Sequence, residues 1–467
     1  MRRTSWGVVL GLWLCAGAGA AAVPGDVPAD GEVGAREAEL LERIARLEAM
    51  VLELKEQVDA AEMGSVLARL HALEAEDADD LHVRWKDGLR LEKDDGSVKL
   101  KVGGRIQTDF QNARGSSALE ALVGETLDDD AAEIRRARLF VSGEVDGLWE
   151  YKAQFDFADA DSDLKDVYVG LKDSPVGGIR VGHFKEPFSL EELTSSKYLT
   201  FTERALPNAF APARNIGVMV HDHTEGEALN WALGLFKTSD DGGDSETADG
   251  EWGLTGRLSG TPHWREGEDG EGPRFVHLGA GFSRRSDEET RVRARPEVHL
   301  GPRLIDTGVI TGVDGIDLYN VEAAFQCGPF SISGEHVQFD VDREGGLEDL
   351  EFDGQYVQAS WFLTEGDQRG YSRSKGTFSR VRPERPFAFG ERGGPGAWEV
   401  AARVSHLDVE DGGFTLASGT GGELDDTSFG LNWYLNDNVR VLWNYIEADL
   451  EDAGEADTVT MRVQVEF

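Results

Sequence analysis

The chain has 467 residues, 88 of them acidic against 47 basic, a net charge of −41 at pH 7 and a mean hydropathy of −0.38. That balance argues against a nucleic-acid partner, because a polyanion is bound by basic surfaces. Two cysteines exclude a disulfide framework. Past the N-terminus, no stretch reaches the roughly 18 consecutive apolar residues of a membrane helix, so any crossing must be by a closed barrel.

Arg2 and Arg3, an apolar run from Trp6 to Cys15 and the small residues Ala16 to Ala22 predict a secretory signal peptide over 1–22. Leu14 stands where a lipoprotein signal wants a small residue. After cleavage Cys327 remains alone, which rules out an intramolecular disulfide and reads as a small apolar strand residue. Residues 23–36, rich in Pro, Gly and Asp, predict a flexible leader.

A helix is predicted over 37–75. Leu40, Ile44, Leu47, Val51, Leu54 and Val58 follow heptad spacing, and the Glu, Arg and Lys between them keep the other faces wet. Such a seam points to a periplasmic coiled coil that self-associates, with two or three strands both open; packing against the barrel is the alternative. Residues 76–97 read as a linker.

From Val98 the period changes to two. Val98, Leu100, Val102, Ile106 and Phe110 alternate with Lys99, Lys101, Arg105, Gln107 and Asp109. Seventeen such segments run to the C-terminus. The last sets Val459, Met461, Val463, Val465 and Phe467 against Thr460, Arg462, Gln464 and Glu466. One greasy and one wet face, ending on an aromatic, fits a closing strand between lipid and an aqueous lumen.

The expected fold is therefore all-β, a transmembrane antiparallel β-barrel over 98–467. A single-chain bacterial barrel has an even strand number. Sixteen strands are preferred, one segment between Phe275 and Asp317 then being spurious, and 18 follow if 304–311 is a missed strand. Short turns, such as Asn436–Asn438 and Gly328–Pro329, fall on one side and the long segments 111–133 and 185–213 on the other. Trp149, Phe157, Trp231, Phe236, Trp361, Phe362, Trp433, Tyr434, Trp443 and Tyr445 are candidates for interfacial girdles.

Arg135–Gly143, Trp149–Asp156, Asp166–Gly170, Gly182–Glu191, Phe201–Pro207 and Arg214–Gly217 together resemble the phosphate-selective porins of the O and P type. Arg295–Glu297, Asp306–Gly308 and Gly396–Arg403 continue the likeness downstream. The resemblance implies a homotrimer of 16-stranded barrels in a bacterial outer membrane. It also implies a third loop folded inward and basic residues lining a path for phosphate or other small anions.

The residues agree with that expectation. The segment 185–213 is long for a loop without function. Three prolines resist strand pairing there, and Phe188, Leu190, Leu199, Phe201, Leu206 and Phe210 need burial. Tucked against the inner wall, it would aim Lys185, Lys197 and Arg204 at the water path; a surface lid or trimer latch is the alternative. Alternation turns Arg105, Arg136, Arg138 and Lys152 inward, with Arg180, Arg214 and Arg257 as further candidates. Of the neighbours Arg135 and Arg136, regular pleat allows only one inside, and Arg136 is preferred. Guanidinium forks suit oxyanions.

Asp109, Glu144, Glu150, Asp156 and Asp166 share the inward face. The arginines could therefore simply pair across strands, and the acidic chain could favour a general or cation-selective pore. An outer-membrane enzyme and a secreted adhesive β-protein are the remaining rivals. The sequence has no phosphate loop, zinc-protease motif or serine elbow. His221 and His223 share a strand face without a third ligand, and the triplet Asp159, Asp161, Asp163 lacks a calcium loop's glycine and closing glutamate. No cofactor or metal is expected.

Overall fold

The computed structural model describes residues 42–50, 52 and 81–467, apart from 124–126, 128, 159–161, 241, 244–250, 268–271, 391–392, 412–415 and 417–421. The predicted signal peptide 1–22 and leader 23–36 lie outside the described residues, as does the aspartate triplet's 159–161. Of the helix expected over 37–75, residues 42–50 and 52 are helical, with Ile44 and Leu47 of the seam exposed. The chain divides into two units at Asp79/Asp80, and the second carries the sheet.

The expected linker 76–97 holds a hairpin instead, β1 (Leu81–Trp85) and β2 (Leu89–Lys93). Leu81, Val83 and Trp85 alternate with His82 and Arg84, a period-two pattern five residues long that is easily read as irregular.

Sixteen strands close the barrel. They are β3 (Val98–Gly115), β4 (Asp129–Val145), β5 (Trp149–Asp156), β6 (Asp163–Ser174), β7 (Gly177–Lys185), β8 (Arg214–His223), β9 (Leu229–Lys237), β10 (Trp252–Arg265) and β11 (Arg274–Arg285). After four two-residue strands, β12 (Glu289–Thr290), β13 (Arg293–Ala294), β14 (Ile305–Asp306) and β15 (Ile310–Thr311), come β16 (Val313–Cys327), β17 (Phe330–Arg343) and β18 (Leu350–Phe362). The short β19 (Gly370–Ser372) and β20 (Thr377–Ser379) precede β21 (Ala397–Asp408), β22 (Glu423–Tyr434), β23 (Val439–Leu450) and β24 (Gly454–Glu466).

Every barrel strand pairs antiparallel with its sequence neighbour in the ring, and β24 closes on β3 with Glu466 opposite Arg105. At the seam Gly104 and Phe467 exchange both backbone hydrogen bonds, at 2.7 and 3.1 Å. A Cβ on Gly104 would lie 2.7 Å from the Phe467 ring, so only glycine admits the terminal aromatic there. Below Phe467, β2 takes over the free edge of β3, pairing Leu89–Glu92 with Lys99–Val102.

Three connections turn inward. At the end away from Phe467 these are 186–213 and 286–312; at the Phe467 end it is 363–396, a long connection on the side of the short turns. Phe188, Leu206 and Phe210 of the first meet Val292, Ile305 and Ile310 of the second against Phe339, Phe352 and Leu424 of the wall, all buried. Segment 292–299 is thus interior filling rather than a barrel strand, and the strand count is 16. Strands β12 to β15 pair only among themselves. In the third insert Tyr371 packs on Phe275, with 4.3 Å between ring centroids, and Phe378 meets Tyr371 edge-on.

The outer surface is uneven. Across β5 to β10 the residues Tyr151, Val169, Val181, Val218, Leu235 and Leu254 stand in one cross-strand row. On the other wall, outward carboxylates crowd the ends away from Phe467: Asp317, Asp340 and Glu351 are in register, as are Asp353, Asp408 and Glu423, and Asp425, Asp449 and Glu455. Trp149, Phe157, Trp231 and Trp361 are exposed, as girdle residues should be. Phe362 and Tyr434 are buried inside beneath Val381 of the third insert, and Phe236 is buried inside against Phe184 and Met219 of the neighbouring strands.

Candidate functional site

The barrel encloses a cavity of about 1320 Å³ between the inserts and the wall of β3 to β10. Eighteen arginines and lysines line it against six carboxylates, a threefold basic excess inside a chain of net charge −41. Every sequence-predicted site residue is on that lining: Arg105, Arg136, Arg138, Lys152, Lys185, Lys197, Arg204 and Arg214. Arg180 and Arg257 join them. Sequence pattern missed Lys375, Arg380 and Arg382, which the third insert carries in, and Arg84 and Arg90 of the hairpin.

The five inward carboxylates expected from the sequence, Asp109, Glu144, Glu150, Asp156 and Asp166, are all engaged, as the pairing alternative anticipated. Arg138 binds Asp156 at 2.5 Å, and Asp166 accepts from both Lys152 and Arg214. Arg180 pairs with Glu150 at 2.9 Å, Lys99 and Lys172 with Glu144, and Arg462 with Asp109. Arg105 has no carboxylate partner among the described residues. It is 5% exposed, donates to Ser195 Oγ at 3.3 Å, leaves its Nε unsatisfied and sits in the fields of Arg136, Arg138 and Arg214. Arg105, Arg138, Lys152 and Arg214 thus face two carboxylates with four cations.

Arg135 corrects the one-of-two expectation. Gln107 pairs with Arg136 and Thr108 with Ile134, so Arg135 is the extra residue of a β-bulge. The bulge turns both arginines inward onto Glu203, at 2.9 and 3.4 Å, with Arg462 at 2.7 Å from the same carboxylate. The three cations outweigh burial and hold the Glu203 carboxyl well below the usual range.

Buried glutamates fix each insert. Glu335 of β17 accepts the backbone N–H of Leu190 at 2.9 Å and of Glu191 at 2.7 Å, and the hydroxyl of Tyr356 at 2.8 Å. It therefore caps the helical turn Leu190–Leu193 from the wall. Glu297 of the second insert accepts Arg403 Nε at 2.9 Å and the hydroxyls of Ser405 and Ser428. Glu399 takes Arg369 of the third at 3.0 Å. Within the constriction segment Lys185 and Arg204 share Glu192, at 2.9 and 3.2 Å. Burial alone would raise that carboxyl, but Arg204 and Lys185 hold it at about 2.

His221 and His223 line the cavity without forming a three-ligand group. Among the described residues one set of carboxylates converges, Glu410, Glu423 and Glu451, on the outer surface.

A transmembrane ring with a water-accessible, ion-lined interior is a channel. Residues 100–467 match the family described as phosphate-selective porin O and P. Porin O of Pseudomonas aeruginosa is 27% identical over 80% of this chain and 88% of its own length. An uncharacterized protein of Caulobacter vibrioides is 32% identical over 79% of this chain and 72% of its own. Among solved structures, the outer membrane channel DcaP of Acinetobacter baumannii shares the fold with a TM-score of 0.50 and 10% identity, over 80% of this chain and 99% of that one. This chain belongs to the phosphate-selective porin O and P family, and is an outer-membrane porin.

Proposed function

We propose that the channel passes small anions, phosphate among them, by diffusion down their gradient and without chemistry. The observation that carries this is the threefold basic excess around the cavity of a strongly acidic protein. Lumen charge sets the local potential, whereas acids on the outer rim are separated from the path by the wall and screened by salt within about 10 Å. Arg105, Arg138, Lys152 and Arg214 would take the anion at mid-channel, with Lys185, Arg204 and Arg136 above and Lys197 below. Because most of these cations already share a carboxylate, each holds an anion weakly enough to release it.

In this reading residues 1–22 direct secretion, the end bearing Phe467 is periplasmic, and the seam over 37–75 joins copies there. The functional unit is a homotrimer, the arrangement the family resemblance implies. Reversal potentials in planar bilayers under salt gradients test the selectivity. Anion preference, with chloride current reduced by added phosphate, is expected; cation preference would reject the proposal.

A further inference from the structure

The third insert has one leg in the lumen and one outside it. Tyr371 packs inside on Phe275, but residues 385–395 fold over the rim at the Phe467 end and dock on the outer surface. Asn432 and Tyr434 are buried within the barrel, so Trp433 between them faces out. The Phe387 ring meets Trp433 edge-on, 5.0 Å between centroids. The Phe387 N–H donates to the Leu435 carbonyl at 2.6 Å, and Trp433 Nε1 donates to the Pro395 carbonyl at 2.9 Å.

The outer leg is a finger held by its own hydrogen bonds. Gly394 donates to the Pro386 carbonyl and Gly396 to that of Arg385, both at 3.1 Å, and Gly390 turns the tip with φ +93°, a conformation open to glycine. Phe389 stands at that tip, 94% exposed, the barest large apolar side chain among the described residues. Its ring meets Phe387 at 5.0 Å, and the contact runs on through Trp433. Trp398 stacks on Trp433 at 5.1 Å and on Trp443 at 6.4 Å, both outward residues of β22 and β23. The finger thus carries the aromatic belt of the wall past the last strand residues, and bilayers draw such rings to the boundary between headgroups and acyl chains. Arg385 at its base is exposed and has no carboxylate partner among the described residues. A guanidinium fork suits phosphate oxygens.

We propose that residues 385–395 are a lipid anchor: Phe389 enters the phospholipid leaflet at the Phe467 end, and Arg385 meets its phosphates. An apolar tip beside a cation is what a segment needs to lie at that depth. The choice of phospholipid rests on the periplasmic orientation given above, whereas contact with lipid rests on the finger alone.

A nitroxide on Ala388→Cys, in a Cys327→Ser background, tests it with the full-length porin in liposomes of phosphatidylethanolamine and phosphatidylglycerol. Oxygen concentrates in lipid and a nickel chelate stays in water, so collision rates with the two read depth. Oxygen should dominate at 388, as at the wall reference Val404→Cys, and nickel at the reference Glu348→Cys in an exposed turn of the far end. Adding Phe389→Ser should shift 388 toward nickel, with heat-modified gel mobility confirming an intact barrel. Nickel dominance at 388 in the parent, weak collision with both reagents (a protein cover) or no shift in Phe389→Ser would each overturn the anchor. Labelling of Asp437→Cys on intact cells by a membrane-impermeant maleimide would overturn the orientation alone.

Discussion

Lys197 and Arg380 meet on one carboxylate. Glu466, the residue before the C-terminus, lies 2.7 Å from Lys197 of the segment that enters the barrel from one end and 2.8 Å from Arg380 of the segment that enters from the other. Arg380 also pairs with Asp87 in the turn of the β1–β2 hairpin, and Arg369 donates to the Tyr198 carbonyl at 2.6 Å. The two inserts, the β1–β2 hairpin and the last strand therefore converge at a single point, which exists only once β24 has closed on β3.

Replacing Glu466 by glutamine removes the shared counter-charge while keeping the shape. Lys197 then loses its carboxylate and Arg380 keeps only Asp87, so the two cations repel one another across the lumen. The variant should show more frequent closures in single-channel records and a higher anion-to-cation permeability ratio. An unchanged record would mean that the inserts are held elsewhere.

Arg105 differs from its neighbours in lacking a carboxylate, so its loss removes a whole positive charge from the path. A unit charge at 4 Å is worth about 1 kcal/mol even at bulk dielectric, roughly a fivefold change in anion partition. Arg105→Ala should lower anion preference by about that factor. Arg462→Ala should do so less directly, since Arg462 is engaged with Asp109 and Glu203; its main effect should be a lower thermal dissociation temperature. Reversal potentials and heat-modified gel mobility separate the two effects.

Much of this site was legible in the sequence because it obeys period two. Arg105, Arg138 and Lys152 lie in regular strands, and alternation placed each correctly. Arg135 was not legible, since a bulge inserts one residue and breaks the parity on which the inference rests. The strand count hinged on the stretch 275–317, where the alternating run 292–299 is used as interior packing rather than as wall. Lys375 and Arg380 were missed because they ride on an insert with two three-residue strands, too short to show any period. Contacts between elements distant in sequence, such as Glu335 with Leu190, leave no local pattern at all.

The third insert narrows the cavity from the side of Phe467, where Lys375 and Arg380 stand on its lining. Replacing 370–379 with a short glycine-serine turn should raise single-channel conductance by about twofold, as when a narrow element in series is removed. Anion preference should fall less than for Arg105→Ala, because the mid-channel cluster of Arg105, Arg138, Lys152 and Arg214 is untouched. Conductance equal to that of the parent would show that the resistance resides wholly at the constriction segment.

The constriction segment should also resist acid. Glu192 joins Lys185 and Arg204, and its carboxyl is held at about 2 against an ordinary 4.5. A carboxyl depressed on folding contributes stability that is complete above its unfolded range and drains away as pH falls through the folded value. Anion selectivity should therefore be steady from pH 7 down to about pH 4 and fail only near pH 2. In Glu192→Gln, Lys185 and Arg204 lose their shared partner at every pH, so the segment should be looser already at pH 7 and the acid step should vanish. Reversal potentials taken on both proteins across that range decide the matter, and a parent that loses selectivity at pH 5 would place the controlling carboxylate elsewhere.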